Sequence, residues 1–165
     1  MTKVLVTGGA GYIGAVLVPM LLEKQMKVTV VDNFMHQNNA SLAMNCANPD
    51  FEAHPVDIRD HDTMETLYQA HDVIVPLASI VGAKAVKRDP NNSATTTTAA
   101  MRAVGLIPNQ KLIIMPTTNS GYGAHSAIVT EDTPMKAISQ YVQEKMTIES
   151  SLMSHPGAVS LRLAS

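Results

Sequence analysis

The chain has 165 residues, 45% of them apolar and 16% charged, with 12 Lys plus Arg against 14 Asp plus Glu. That length supports one packed core, and that apolar content excludes a disordered chain. A net charge of −2 without a basic stripe excludes the usual nucleic-acid binder, and the single cysteine, Cys46, excludes a disulfide framework and fits a reducing, cytoplasmic compartment.

Strand-like and helix-like segments alternate along the chain. Residues 3–7 (K-V-L-V-T) are a short β-branched run that reads as a buried strand. No charge occurs from Val4 to Leu22, long enough to mimic a membrane span. Gly8, Gly9, Gly11, Gly14 and Pro19 break that stretch, so it reads as strand, tight turn and a helix over 11–24, and no membrane association is expected. A second strand covers 27–32, a weak helix 41–47, and a third strand 51–57, interrupted by Pro55. The helix over 60–70 has Asp60 or Asp62 as its N-cap. A fourth strand covers 72–75.

The spacing then predicts a helix over 91–104 despite four consecutive threonines, Thr95 to Thr98. A fifth strand covers 111–115. A long helix covers 138–153, with Ile138, Val142, Ile148 and Leu152 as its apolar positions, and a sixth strand covers 158–163. This alternation implies an α/β fold, a doubly wound parallel sheet with helices on both faces, with 1–165 as one domain. Ligands of such folds bind at the carboxyl ends of the strands. Cys46 is expected as a small buried hydrophobe and the 11 methionines as core filler. His36, His54, His61, His71, His125 and His155 lack metal-ligand spacing and read as surface or internally satisfied histidines, so no metal site is expected.

The chemistry begins at the first strand end, where Gly8, Gly11 and Gly14 follow the spacing G-x-x-G-x-x-G. A turn that brings backbone against a pyrophosphate tolerates no Cβ. The helix that follows offers free N–H groups and a partial positive charge to the anion. The third glycine allows close packing of helix on strand. Asp32 ends the second strand, where a carboxylate accepts from the adenosine ribose hydroxyls and repels a 2′-phosphate. The first arginine is Arg59, so the sequence favours NAD over NADP. Asp32 also has a plain reading as a turn residue beside Asn33. Later in the chain, Tyr141 and Lys145 have the spacing Y-x-x-x-K, which puts both on one helix face. A neighbouring cation favours the phenolate, which makes Tyr141 a plausible acid–base group.

Together these features resemble the extended short-chain dehydrogenase/reductase superfamily, in its NAD-dependent nucleoside-diphosphate-sugar epimerase/dehydratase branch. T-G-G-A-G-Y-I-G at 7–14 is similar to that branch's N-terminal signature, which adds Tyr12 and Ile13 to the cofactor contacts. Asp32-Asn33 resembles its ribose-binding pair. In Asp57-Ile58-Arg59-Asp60 the first two residues match those that flank the adenine. Leu77-Ala78-Ser79 resembles the segment along the cofactor. In Thr117-Thr118-Asn119-Ser120-Gly121-Tyr122-Gly123, Thr118 takes the place of the catalytic Ser/Thr, and Thr130 to Pro134 resembles the lead-in to the Tyr helix.

The resemblance implies an enzyme with NAD as cofactor and a nucleoside-diphosphate sugar as partner. Tyr141 is then the base, Thr118 its hydrogen-bonding companion, and Lys145 the residue that holds the nicotinamide ribose. It also implies a homodimer through the helices at 91–104 and 138–153. Three departures stand out. No Asn occurs between Ser93 and Pro108, where the family commonly has one. Asn119 and Ser120 stand where dehydratases carry Asp-Glu and decarboxylases usually keep the Glu, which favours epimerisation or simple oxidoreduction. The chain stops at Ser165 inside a family motif, so the family's C-terminal substrate-binding part is expected to be absent. The alternatives are an NAD-binding module or fragment without turnover, or a related dehydratase or reductase.

Overall fold

The computed structural model describes residues 1–123 and 128–163. Six strands form one sheet: β1 (Lys3–Thr7), β2 (Lys27–Val31), β3 (Phe51–His54), β4 (Val73–Pro76), β5 (Leu112–Thr118) and β6 (Ala158–Leu163). Their order is β3-β2-β1-β4-β5-β6 and every pairing is parallel. The order reverses direction between β1 and β4, which opens a crevice at their carboxyl ends. The helices are α1 (Gly14–Glu23), α2 (His61–Ala70), α3 (Ala83–Arg88), α4 (Pro90–Leu106) and α5 (Gln140–Leu152). Val4, Val6, Val28 and Val30 pack with Val18 and Leu22 of α1 on one face. Leu5, Ile74, Ile113 and Met115 pack on the other with Met64, Tyr68, Val104, Ile148 and Leu152 of α2, α4 and α5. This is the doubly wound parallel sheet expected from the alternation.

The differences from expectation are local and have physical causes. The first helix starts at Gly14, not residue 11, because residues 8–13 are spent on the turn, where the Gly11 amide donates to the Gly8 carbonyl at 3.0 Å. β3 stops at His54 because Pro55 has no amide to continue the ladder. The weak helix is a 3-10 turn over Asn39–Asn45. Asp60 is the cap of α2, accepting from the Thr63 amide at 3.3 Å. The threonine run is helical with its hydroxyls satisfied: Thr95, Thr96 and Thr98 turn them back onto carbonyls of Asn92 and Ala94, while Thr97 reaches Glu144 on α5. Helix α3 escaped the periodicity because it has only six residues. Ile138 lies before α5 and is exposed, since Ser139 caps the helix after it.

Two packing expectations are corrected. Cys46 is exposed rather than buried, because Leu42 and Asn45 are the residues that the short 3-10 turn buries. The methionines are not mainly core: Met64 and Met115 are buried, but Met1, Met20, Met35, Met44 and Met153 are exposed. The buried histidines are satisfied, His71 between the Leu67 carbonyl and Thr29 Oγ1, and His155 by the Ile107 carbonyl and the Gly157 amide. His125 lies outside the described residues, as do Ala164 and Ser165 of the terminal motif.

Candidate dinucleotide cleft and catalytic site

The cleft begins at the glycine turn. Gly8 has φ +69, and a Cβ there would stand 2.6 Å from the Ala78 amide nitrogen. A Cβ on Gly14 would run into the Gly9 carbonyl oxygen. These two glycines let β1, β4 and α1 approach closely. Gly11 differs: its Cβ would meet only the Gly8 carbonyl oxygen, at 3.1 Å, and the residue lines the cleft. Helix α1 starts with no side-chain cap and no acid in its first turn. The amides of Tyr12, Ile13 and Gly14 have no acceptor among the described residues. Open amides at a helix N-terminus, facing a glycine-lined cleft, fit the pyrophosphate of a dinucleotide.

A cavity of about 410 Å³ extends from this turn. Gly8, Gly11, Tyr12, Ile13 and Gly14 form its floor. Asp32, Asn33, Asp57 and Ile58 line it where β2 and β3 end, and Leu77, Ala78 and Ser79 line it after β4. The Asp32 carboxylate is pinned by the Ala10 amide at 3.0 Å and the Phe34 amide at 2.8 Å. Asn33 Nδ2 donates to Asp57 Oδ2 at 2.9 Å. Arg59, far from Asn33 in sequence, is therefore close in space, because Asp57 binds it in a salt bridge of 2.6 Å. The sequence distance that set the first arginine apart from Asn33 is closed in space at Asp57, which engages Arg59.

A second lobe adjoins the first and shares Tyr12, Ile13, Leu77 and Val81 with it. Thr118, Ser120, Tyr141 and Lys145 line this lobe together. Thr118 ends β5, and its hydroxyl donates to Ser120 Oγ at 3.0 Å. Tyr141, partly buried, and Lys145 sit one turn apart on α5. Lys145 is 7% exposed, and its Nζ donates to Ser79 Oγ at 2.7 Å. This bond spans the two lobes. Burial pushes the Lys145 ammonium down to about 8, with Glu144 pulling it weakly upward.

A further turn along α5, buried Glu149 accepts from Thr117 Oγ1 at 3.1 Å and from Arg162 Nε at 2.8 Å. Arg162 in turn donates to the Tyr122 hydroxyl and the Glu131 carbonyl. The strand end that holds Thr118 and the helix that holds Tyr141 are so tied together.

The structure brings every expected site residue to this double cleft. It adds Ser120 and, from α4, Asn92 and Thr96. A start signal for α4 stood in the sequence as Asp89-Pro90, a cap followed by a proline at the first helical position. Nothing in the spacing signalled that this helix faces the cleft.

The family description that matches residues 4–163 is the NAD-dependent epimerase/dehydratase family. The chain is similar to the UDP-glucose 4-epimerase of Corynebacterium glutamicum, 31% identical over 180 residues, which covers 99% of this chain and 49% of that protein. It is also similar to the UDP-N-acetyl-alpha-D-glucosaminuronate decarboxylase of Bacillus cytotoxicus, 30% identical over 132 residues, 79% of this chain and 40% of that one. The chain spans about half the length of the curated relatives it matches. Pal from Bacillus thuringiensis shares the fold, with a TM-score of 0.90 at 22% identity over 98% of this chain and 55% of that one. The UDP-glucuronic acid 4-epimerase of Bacillus cereus, solved with UDP-glucuronic acid and NAD, has a TM-score of 0.88 at 26% identity over 98% of this chain and 56% of that one. With the match running from the first strand to the sixth, the chain belongs to the NAD-dependent epimerase/dehydratase family.

Proposed function

We propose that the chain binds NAD and supplies the Tyr141, Lys145 and Thr118 set of a sugar-nucleotide epimerase. The observation that carries this reading is the Lys145–Ser79 bond, which joins the dinucleotide lobe to the lobe that holds Tyr141 and Thr118. Gly8, Gly11, Tyr12, Ile13 and Gly14 hold the pyrophosphate, Asp32 and Asn33 the adenosine ribose, Asp57 and Ile58 flank the base, and Leu77, Ala78 and Ser79 run along the cofactor. Bound NAD+ supplies the hydride acceptor. Tyr141 would take the proton of a sugar hydroxyl as the carbinol carbon is oxidised to the ketone. Thr118 hydrogen-bonds the same oxygen. Reduction of that ketone from its other face, with Tyr141 giving the proton back to the same oxygen, would invert the carbon. Asn119 and Ser120 offer no carboxylate for elimination, which supports epimerisation over dehydration or decarboxylation.

The substrate class in this reading is a nucleoside-diphosphate sugar, the location the cytoplasm, and the assembly a homodimer through α4 and α5. Calorimetric titration is expected to give NAD(H) binding with clear preference over NADP(H); equal affinity sinks the cofactor assignment. A coupled assay on UDP-, dTDP- and GDP-sugars, with light scattering, tests activity and assembly. In any active form, Tyr141→Phe is expected to lower kcat by about 10²–10⁴-fold with NAD affinity nearly intact. Retention of more than about a tenth of the rate shows that Tyr141 is not the base.

A further inference from the structure

Outside both lobes, one carboxylate joins the helix of Tyr141 and Lys145 to the helix beside it. Glu144, on α5, lines neither lobe. Its Oε2 accepts from the Ser93 hydroxyl and from Thr97 Oγ1 at 3.3 Å. Its Oε1 accepts from Gln140 Nε2 at 2.9 Å. Ser93 and Thr97 stand one turn apart on α4, and Gln140 one turn earlier on α5, so the carboxylate takes donors from both helices. Ser93 is buried, and hydrogen bonds to a carboxylate are the stronger kind. The contact falls at the level of the site. Ser93 follows Asn92 and Thr97 follows Thr96, and Asn92 and Thr96 line the dinucleotide lobe. On α5, Glu144 stands between Tyr141 and Lys145, which line the other lobe.

We propose that Glu144 is a positioning residue: through Ser93 and Thr97 it fixes the cleft wall at Asn92 and Thr96 against Tyr141 and Lys145, and so sets the affinity for the cofactor. The inference rests on the NAD reading above and goes beyond it, because Glu144 touches neither cofactor nor substrate in that reading. The apolar burial of α4 lies in its second half, at Ala99, Ala100, Ala103 and Val104. In its first half, the half that faces the cleft, Ser93 is the buried residue. Polar bonds therefore hold that half. Glu144 holds it from α5, and Arg59 holds it at Asn92 and Thr95, at 3.0 and 3.2 Å, from the side of the strand ends. Apolar contact is non-directional, whereas hydrogen bonds fix both distance and angle. Loss of the Glu144 tie frees the α5 side of the wall while the core of α4 stays packed.

The test titrates the 165-residue chain and its variants calorimetrically with NAD, well below the Tm that thermal unfolding gives for each. Glu144→Ala is expected to weaken NAD binding by about fivefold or more, as a site held to within about 0.5 Å responds to a shifted wall. Glu144→Gln keeps an acceptor for the α4 hydroxyls and is expected to restore most of that affinity. Ser93→Ala removes a donor from the other helix and is expected to weaken binding in the same direction. Added to Glu144→Ala, it is expected to change Kd by less than about twofold, because both act through one contact. If Glu144→Ala does not fold, Ser93→Ala and Thr97→Val take its place. An unchanged Kd in the folded variants, whatever their loss of Tm, reduces the tie to a stability contact; it overturns the inference and leaves the NAD reading standing. Binding as weak in Glu144→Gln as in Glu144→Ala also overturns it, since charge and not the tie then sets the affinity. Absence of NAD binding by the wild type overturns both.

Discussion

Lys145 carries a buried ammonium on a single side-chain hydrogen bond, and this makes it a source of pH dependence. Its pKa falls from 10.5 to about 8 on folding. Between those values the unfolded chain holds a proton that the folded chain has released, so stability rises with pH across that window. Below pH 8 both states are protonated and the folded chain carries the whole burial penalty. Lys145→Met is expected to stabilise the chain at pH 7 by roughly 1–3 kcal/mol and to flatten the rise above pH 8, as read by urea unfolding at several pH values. The same variant is expected to weaken NAD binding. In the wild type, NAD affinity is expected to fall from pH 7 to pH 9 as the cation is lost. A pH-independent affinity removes Lys145 from cofactor binding.

The glycines separate in the same way. Gly14→Ala sets a Cβ against the Gly9 carbonyl and is expected to lower stability by about 1–3 kcal/mol, the usual range for overpacking. Gly11→Val has only one near neighbour and fills the cleft instead. It is expected to abolish NAD binding with a much smaller change in Tm. A large loss of Tm with binding retained reverses that assignment.

Among the elements, α5 depends on both local and distant contacts. Ser139 caps it, accepting from the Val142 amide at 3.3 Å, and Val142, Ile148 and Leu152 bury its apolar stripe. The sequence showed the stripe, with Ile138 wrongly included, and not the cap. The buried Glu149 was not legible as a contact, because its partners are Thr117 on β5 and Arg162 on β6. Glu149→Ala removes the acceptor of Arg162 Nε and one partner of Thr117 Oγ1 and is expected to lower stability by roughly 1–3 kcal/mol, whereas Glu149→Gln, which keeps an acceptor, loses less. Thermal unfolding of the two variants checks the order. The threonine run of α4 shows the reverse relation. Propensity argued against a helix there, and burial of Ala99, Ala100, Ala103 and Val104 against the sheet overrode it.

On the scale of the whole molecule, the two faces of the sheet are unequally covered. Thr117, Ser160 and Arg162 lie on the side that α5 covers through Glu149. The pairings Ile114↔Val159, Pro116↔Leu161 and Thr118↔Leu163 place the alternate residues on the opposite side. There Val159, Leu161 and Leu163 are each more than 40% exposed. A contiguous apolar face on a strand at the sheet edge invites association. The 165-residue chain is expected to show a mass that rises with concentration in light scattering, and Leu161→Lys is expected to reduce it. An unchanged mass in that variant places the contact elsewhere.

The sequence by itself determined the strand identities, the glycine turn, the start of α2 at Asp60 or Asp62, and the Tyr141–Lys145 spacing, because each depends on neighbours within a turn or a strand. Residue type and period encode such features directly. The tertiary structure decided which distant groups meet. Lys145 finds Ser79, Asp57 gathers Asn33 and Arg59, and Arg59 reaches across to Asn92 and Thr95. Those contacts follow from the strand order and its reversal between β1 and β4, which brings segments far apart in the chain to one crevice. Cys46 and the methionines fell on the other side of the same division. Their hydrophobicity was visible, but their exposure depended on which segments the sheet left uncovered. Local periodicity says which face of an element is apolar; only the packed sheet decides what lies against it.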